Sequence, residues 1–210
     1  MTLPGSVLFP QVIMPLYIFE ERYRMMLSDV LTGSRMFGIL TREETDGDEG
    51  VEAFHRMGSL GMVRTSHDNP DGTSNVLLQG LTRFTVKEIV QEEPYRMVNI
   101  EPVPAIADEA PYPFLMNRVL DLLKKKNNLG AEIPKDMMAF LADQENAETF
   151  IEFASFTSSD DVQERLKLLK TLENSTRFER LIEILDKQID ELMLFHRFCQ
   201  GQRPEDIGLN

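Results

Sequence analysis

Leu8-Phe9-Pro10, followed after three residues by Met14-Pro15-Leu16-Tyr17-Ile18-Phe19-Glu20-Glu21-Arg22-Tyr23-Arg24-Met25-Met26-Leu27, is the stretch on which the reading of this sequence turns. Val7 to Phe19 is its most apolar part, but it is shorter than the ~18 residues a membrane span needs and is interrupted by Pro10 and Pro15. No basic region precedes it, so it does not read as a secretory signal. From Phe19 the period changes. Phe19, Tyr23, Met26, Leu27, Val30 and Leu31 recur at spacings of three and four, which predicts a helix with those side chains on its buried face. Glu21, Arg22, Ser28 and Asp29 are left mainly to solvent.

Downstream, short β-branched and apolar runs predict strands at Arg35–Thr41, Gly58–Thr65, Ser74–Gly80, Arg83–Val90 and Tyr95–Val103. Between the second and third lies Asp68-Asn69-Pro70-Asp71-Gly72, a hairpin turn in which Pro70 presets φ and Gly72 can take positive φ. Such spacing suggests a small antiparallel sheet or barrel. Pro102, Pro104, Pro111 and Pro113 then punctuate a connector, after which the period is helical throughout. Helices are predicted over 114–126, from Pro134 in a first turn to about Ala142, and from an Asn146 cap to Phe156. A fourth is predicted behind a capping box of Ser158 and Asp161. A fifth carries the stripe Phe178, Leu181, Ile182, Leu185, Ile189, Leu192, Met193 and His196. The fold class that follows is α+β.

With 22 Lys and Arg against 35 Asp and Glu, the 210-residue chain carries a formal charge of −13, and neither half is net basic. Nucleic-acid binding draws on cations that neutralise phosphates, so this balance argues against it. Cys199 is the only cysteine; no intramolecular disulfide can form, and a cytosolic location is the default expectation. The sequence shows no familiar catalytic set. Gly33-Ser34-Arg35-Met36-Phe37-Gly38 lacks the Lys and Ser or Thr of a phosphate loop, and Gly58-Ser59-Leu60-Gly61 lacks a dinucleotide fingerprint. His55, His67 and His196 have no metal-ligand spacing, and Cys199 has no base beside it. Six acids between Glu43 and Glu52 read as a solvated loop, because a calcium loop starting at Asp46 would put Gly50 and Met57 where ligands are required. Lys124-Lys125-Lys126 reads as the cationic end of a helix. Twelve methionines are many for this length, and Met25-Met26 and Met137-Met138 are adjacent pairs whose members cannot share one helical face.

The opening stretch closely resembles the signature of the Lon protease N-terminal domain, in which an apolar strand and a proline-bounded turn lead into a helix entered through Phe19-Glu20 and Arg22-Tyr23. Asp71-Gly72 leading to Val76-Leu77-Leu78-Gln79-Gly80-Leu81-Thr82-Arg83-Phe84 is similar to that family's hairpin with its Gly-x-x-Arg strand. Ile133-Pro134, Asp160–Leu169 and Glu179–Leu192 are similar to its helices. The resemblance covers roughly residues 3 to 196. It implies a PUA-like β pseudo-barrel over 1–105 and an α-helical bundle subdomain over 112–200, with 201–210 as a flexible tail.

It further implies a non-catalytic protein- or peptide-binding module, an adaptor for unfolded or tagged proteins that works with a separate protease or chaperone. The chain resembles stand-alone Lon-domain proteins, without the ATPase and Ser-Lys protease modules, so no catalytic residue, metal or cofactor is expected. Oligomers are allowed for; membrane and nucleic-acid partners are not expected, although an RNA-binding PUA-like module is the alternative. By position, the family's substrate contacts at the start of the first helix fall on Glu21 and Arg22, with Glu20 beside them. Met25 stands where the family has a further basic contact. The other account of these acids is helix-terminus chemistry at the positive end of the dipole.

Overall fold

The computed structural model describes residues 1–43 and 53–201, with side chains described to residue 198. Six strands, β1 (Thr2–Leu3), β2 (Ile13–Ile18), β3 (Met36–Thr41), β4 (Met57–Asp68), β5 (Ser74–Gln91) and β6 (Met97–Val103), are interrupted by α1 (Glu21–Thr32). The helices α2 (Tyr112–Asn128), α3 (Lys135–Ala142), α4 (Ala147–Ser158), α5 (Val162–Lys170) and α6 (Asn174–Gly201) follow. The strands form one sheet in the order β1-β3-β4-β5-β2, with β6 also on β5. The two strands predicted over 74–90 are a single strand. β4 runs along one edge of β5, while the other is shared by β2, opposite Ser74–Gln79, and β6, opposite Arg83–Gln91. Gly80 lies between them because the chain passes there: a Cβ on Gly80 would sit 2.1 Å from the Phe9 carbonyl oxygen.

The hairpin turn forms as read, with Gly72 at φ +81°. Asn146 caps α4 through its side chain, accepting from the Thr149 amide at 2.8 Å. The cap of α5 differs from expectation. Asp161 itself accepts from the Gln163 and Glu164 amides, while Ser158 ends α4. One carboxylate oxygen of the aspartate adjoining the helix accepts from both amides, so no serine three residues upstream is needed. Pro134 likewise stands at the cap of α3, one position before its first turn. Lys126 donates to the Ser158 carbonyl at 2.6 Å, satisfying a backbone acceptor at the end of α4. Burial pulls its ammonium below the usual lysine range, against the nearby Asp160 and Glu164.

Helices α2 to α6 share one continuous core, of 20 buried residues among those described. Three of these, Val7, Phe9 and Val12, come from the apolar N-terminal segment, whose Leu8 instead enters the barrel. The barrel buries two separate clusters, a larger one around Tyr23, Met26, Phe37 and Leu78, and a smaller one of Leu40, Phe84 and Val86.

The halves are joined by buried charge. Arg83, from the Gly80-Leu81-Thr82-Arg83 strand, forms a two-pronged pair with Glu152 of α4 at 2.8 Å on both oxygens and donates to the Leu169 carbonyl. Arg177 of α6 reaches the same carboxylate at 2.7 Å and donates to the Thr171 and Leu172 carbonyls. All three side chains are 0–2% exposed. Each guanidinium is held by the carboxylate and by main-chain oxygens, which offsets the cost of taking charges out of water. Burial lowers the Arg177 pKa and Glu152 opposes the shift.

Candidate functional site

A row of exposed apolar side chains, including the aromatic rings of Tyr17 and Phe19, lies along β2 and its continuation. Ile13, Pro15 and Tyr17 point outward while Met14 and Ile18 are buried, the period-two pattern of a strand with one wet face. Phe19, expected on the buried face of α1, is 60% exposed and stacks on Tyr17 with ring centroids 5.9 Å apart. The reason is local: α1 begins at Glu21, so Phe19 still belongs to the extended segment and follows its alternation. Leu77 pairs with Pro15 and Asn75 with Tyr17, and on β4 Thr65 and His67 complete the two rows. Between them lies an open groove of about 350 Å³, walled by Pro15, Tyr17, His67 and Leu77.

Among the described residues β2 pairs only with β5 and is therefore an edge strand. Pro15 at its centre has no N–H to offer an incoming strand, a usual way of blunting an edge. Contacts made here would come mainly from the apolar side chains.

The four residues singled out from the sequence adjoin this ridge along the chain. Glu20 is the extended cap residue of α1 and makes no side-chain cap bond; its carboxylate accepts from Arg22 at 2.8–2.9 Å. Arg22 also lies over the neighbouring Tyr23 ring, 4.6 Å from its centroid. Glu21 occupies the first turn, where the helix dipole favours an acid. Met25, one turn on, is 45% exposed while Met26 is buried, as two adjacent helical residues require. Glu20 and Arg22 thus form an ion pair, with Glu21 and Met25 on the neighbouring exposed surface.

The alternation that places Ile13, Pro15, Tyr17 and Phe19 outside was hidden because the stretch is apolar on both faces. Glu152 and Arg177 were missed too: each stands among ordinary helical charges, and only the fold brings them to Arg83. Of the remaining candidates, His55 lies at the junction of the halves, its Nδ1 3.3 Å from Glu43 and 3.4 Å from the Lys170 ammonium. Burial, then Lys170, lowers its pKa, and Glu43 opposes them. The rest of the acidic loop (44–52), the tail beyond 201 and the Cys199 side chain lie outside the described residues. Among the described residues no group of three or more His, Cys, Asp or Glu is arranged to hold a metal ion, and no helix is long and apolar enough to cross a membrane.

A family model, described as the ATP-dependent protease La (LON) substrate-binding domain, matches residues 1–187. Lon protease of Dictyoglomus thermophilum is 22% identical over 201 residues, covering 95% of this chain and 25% of the relative. Lon protease of Flavobacterium johnsoniae is 25% identical over 199 residues, covering 91% and 24%. The chain thus spans about a quarter of the length of the curated relatives it matches. Among solved structures, the N-terminal domain of Mycobacterium avium complex Lon protease superposes with a TM-score of 0.66 at 12% identity, over 89% of this chain and 96% of that one. A Lon N-terminal domain protein from Xanthomonas campestris gives 0.63 at 22% identity, over 87% and 95%. At such identities the structural likeness speaks to the fold.

Proposed function

The chain belongs to the Lon substrate-binding domain family, and from that premise we propose that it is a non-catalytic module that binds exposed apolar segments of unfolded or tagged polypeptides. The observation that carries this reading is the apolar ridge of Ile13, Pro15, Tyr17 and Phe19, presented on an edge strand and continued by the charged start of α1. A stacked Tyr17–Phe19 pair offers a large apolar area at little cost in side-chain freedom. Glu20, Glu21 and Arg22 supply charges at its end, where they select by register rather than by bulk affinity, and Met25 adds an adaptable apolar contact. In the cell the module acts as an adaptor that hands such segments to a separate protease or chaperone. The net charge of −13 disfavours anionic partners, so a polypeptide is a better match than RNA.

A peptide array probed with the wild type, with Tyr17→Ser/Phe19→Ser, and with Glu21→Lys/Arg22→Glu tests this reading. Peptides rich in Leu, Phe and Tyr should be retained by the wild type and lost by the ridge variant, with the charge variant changing which of them bind. Equal retention by all three proteins would sink it.

A further inference from the structure

The barrel interior is not filled. Between its two core clusters lies a cavity of about 270 Å³, walled by Met26 and Val30 of α1, Met36 and Phe37 of β3, Phe84 of β5 and Val98 of β6. Met26 and Phe37 belong to the larger cluster, Phe84 to the smaller, and Val98 packs against the smaller one. Among the described residues the sheet does not close around it, because there β6 pairs only with β5 and β1 only with β3. Tyr95 and Arg96 also line the cavity at one end, where they are shared with a small recess that Glu92 and Arg22 complete.

We propose that this cavity receives one bulky apolar side chain, of the Phe, Leu or Met class, from a bound polypeptide. The inference rests on the reading of the molecule as a polypeptide-binding module and places a specificity pocket within it. Size sets the occupant: the volume lies above the ~150 Å³ of a cavity that takes benzene and just under the ~300–1,000 Å³ of small-molecule sites. Lining sets its chemistry. Met26 and Met36 are unbranched and polarisable, able to repack around aromatic or aliphatic groups, and Phe37 and Phe84 offer ring faces.

The rim excludes a charged head group. Arg96 is paired with Glu92 at 2.8 Å, Arg22 with Glu20 at 2.8 Å, and the Tyr95 hydroxyl donates to Asp29 at 2.6 Å, so both guanidiniums at the opening already face carboxylates, while the Met1 ammonium beside them donates to the Gly38 carbonyl at 2.8 Å. Balanced pairs of donors and acceptors suit the neutral N–H and C=O groups of a peptide backbone better than a free carboxylate or amine. Arg22, one of the four residues expected to touch substrate, lines this recess and so links the start of α1 to the pocket.

The test uses the intact protein with methyl-labelled methionine, titrated with N-acetyl-phenylalaninamide, N-acetyl-glycinamide and toluene. NMR shifts at the Met26 and Met36 methyls with the phenylalanine amide and with toluene, but not with the glycine amide, are expected. Val30→Phe, which fills the cavity, should weaken the phenylalanine amide at least about tenfold, equivalent to about 1.4 kcal/mol. Val98→Phe provides a second filling variant should the first not fold. Toluene binding without the phenylalanine amide, shifts only at exposed Met25, or unchanged binding in a folded filling variant would each overturn the proposal. Failure of the peptide array with these shifts intact would count against the ridge reading and leave the pocket standing.

Discussion

The junction between the two halves and the interior of the barrel solve opposite problems. At the junction, Arg83, Glu152 and Arg177 are fully buried, and their guanidiniums are held by one carboxylate and three main-chain carbonyls. In the barrel, methionine and phenylalanine surround a cavity that separates two apolar clusters. Fixed hydrogen-bond geometry allows one arrangement of the halves, whereas unbranched apolar side chains allow several packings. The junction is specified by directional bonds, whereas the proposed pocket is lined by side chains that can repack around different apolar groups.

Breaking the junction should have the largest effect. Glu152→Gln leaves two buried guanidiniums without their carboxylate and should cost about 3–5 kcal/mol, read as a shift of the urea midpoint. A midpoint within error of wild type would mean that the junction is not held by charge. Gly80→Ala comes next. Its methyl would meet the Phe9 carbonyl, and main chain cannot yield as a side chain can, so a loss of about 1–3 kcal/mol is expected by thermal unfolding.

The contrast in packing can be sharpened directly. Leu141→Phe in the tight helical core should cost about 1–3 kcal/mol, while Leu60→Phe at the cavity wall should stay within about 0.5 kcal/mol of wild type. Similar losses at both sites would show that the barrel interior is no looser than the helical one. The smallest effect is that of pH at the junction. The His55 pKa is lowered from 6.5 in the folded state, so its neutral form is the one folding favours. That contribution is present above 6.5 and is lost as pH falls through the lowered value. Wild type should therefore lose melting temperature relative to His55→Gln between pH 7 and 5; parallel curves would remove His55 from the account.

Much of the architecture was legible because it is repetitive. The stripe Phe178, Leu181, Leu185 and Ile189 has helical period and is buried as expected. Asn146 announced its cap, and Asp71-Gly72 its turn. Phe19 was misassigned because its spacing suits the helix face, while its backbone belongs to the strand before it. The junction was illegible for another reason. Residues 83, 152 and 177 are far apart in the chain, and a buried ion pair has no period.

Local chemistry written into neighbouring residues thus settled the α+β class and most element positions, since capping, turn geometry and apolar periodicity act over a few residues, while the likeness to the Lon N-terminal domain rested on resemblance of motifs such as Phe19-Glu20 and Arg22-Tyr23. Which apolar faces remain uncovered, which charges are buried together and where the barrel leaves a cavity depended on how distant segments pack. Burial is a property of the assembled surface, and no short stretch of sequence carries it.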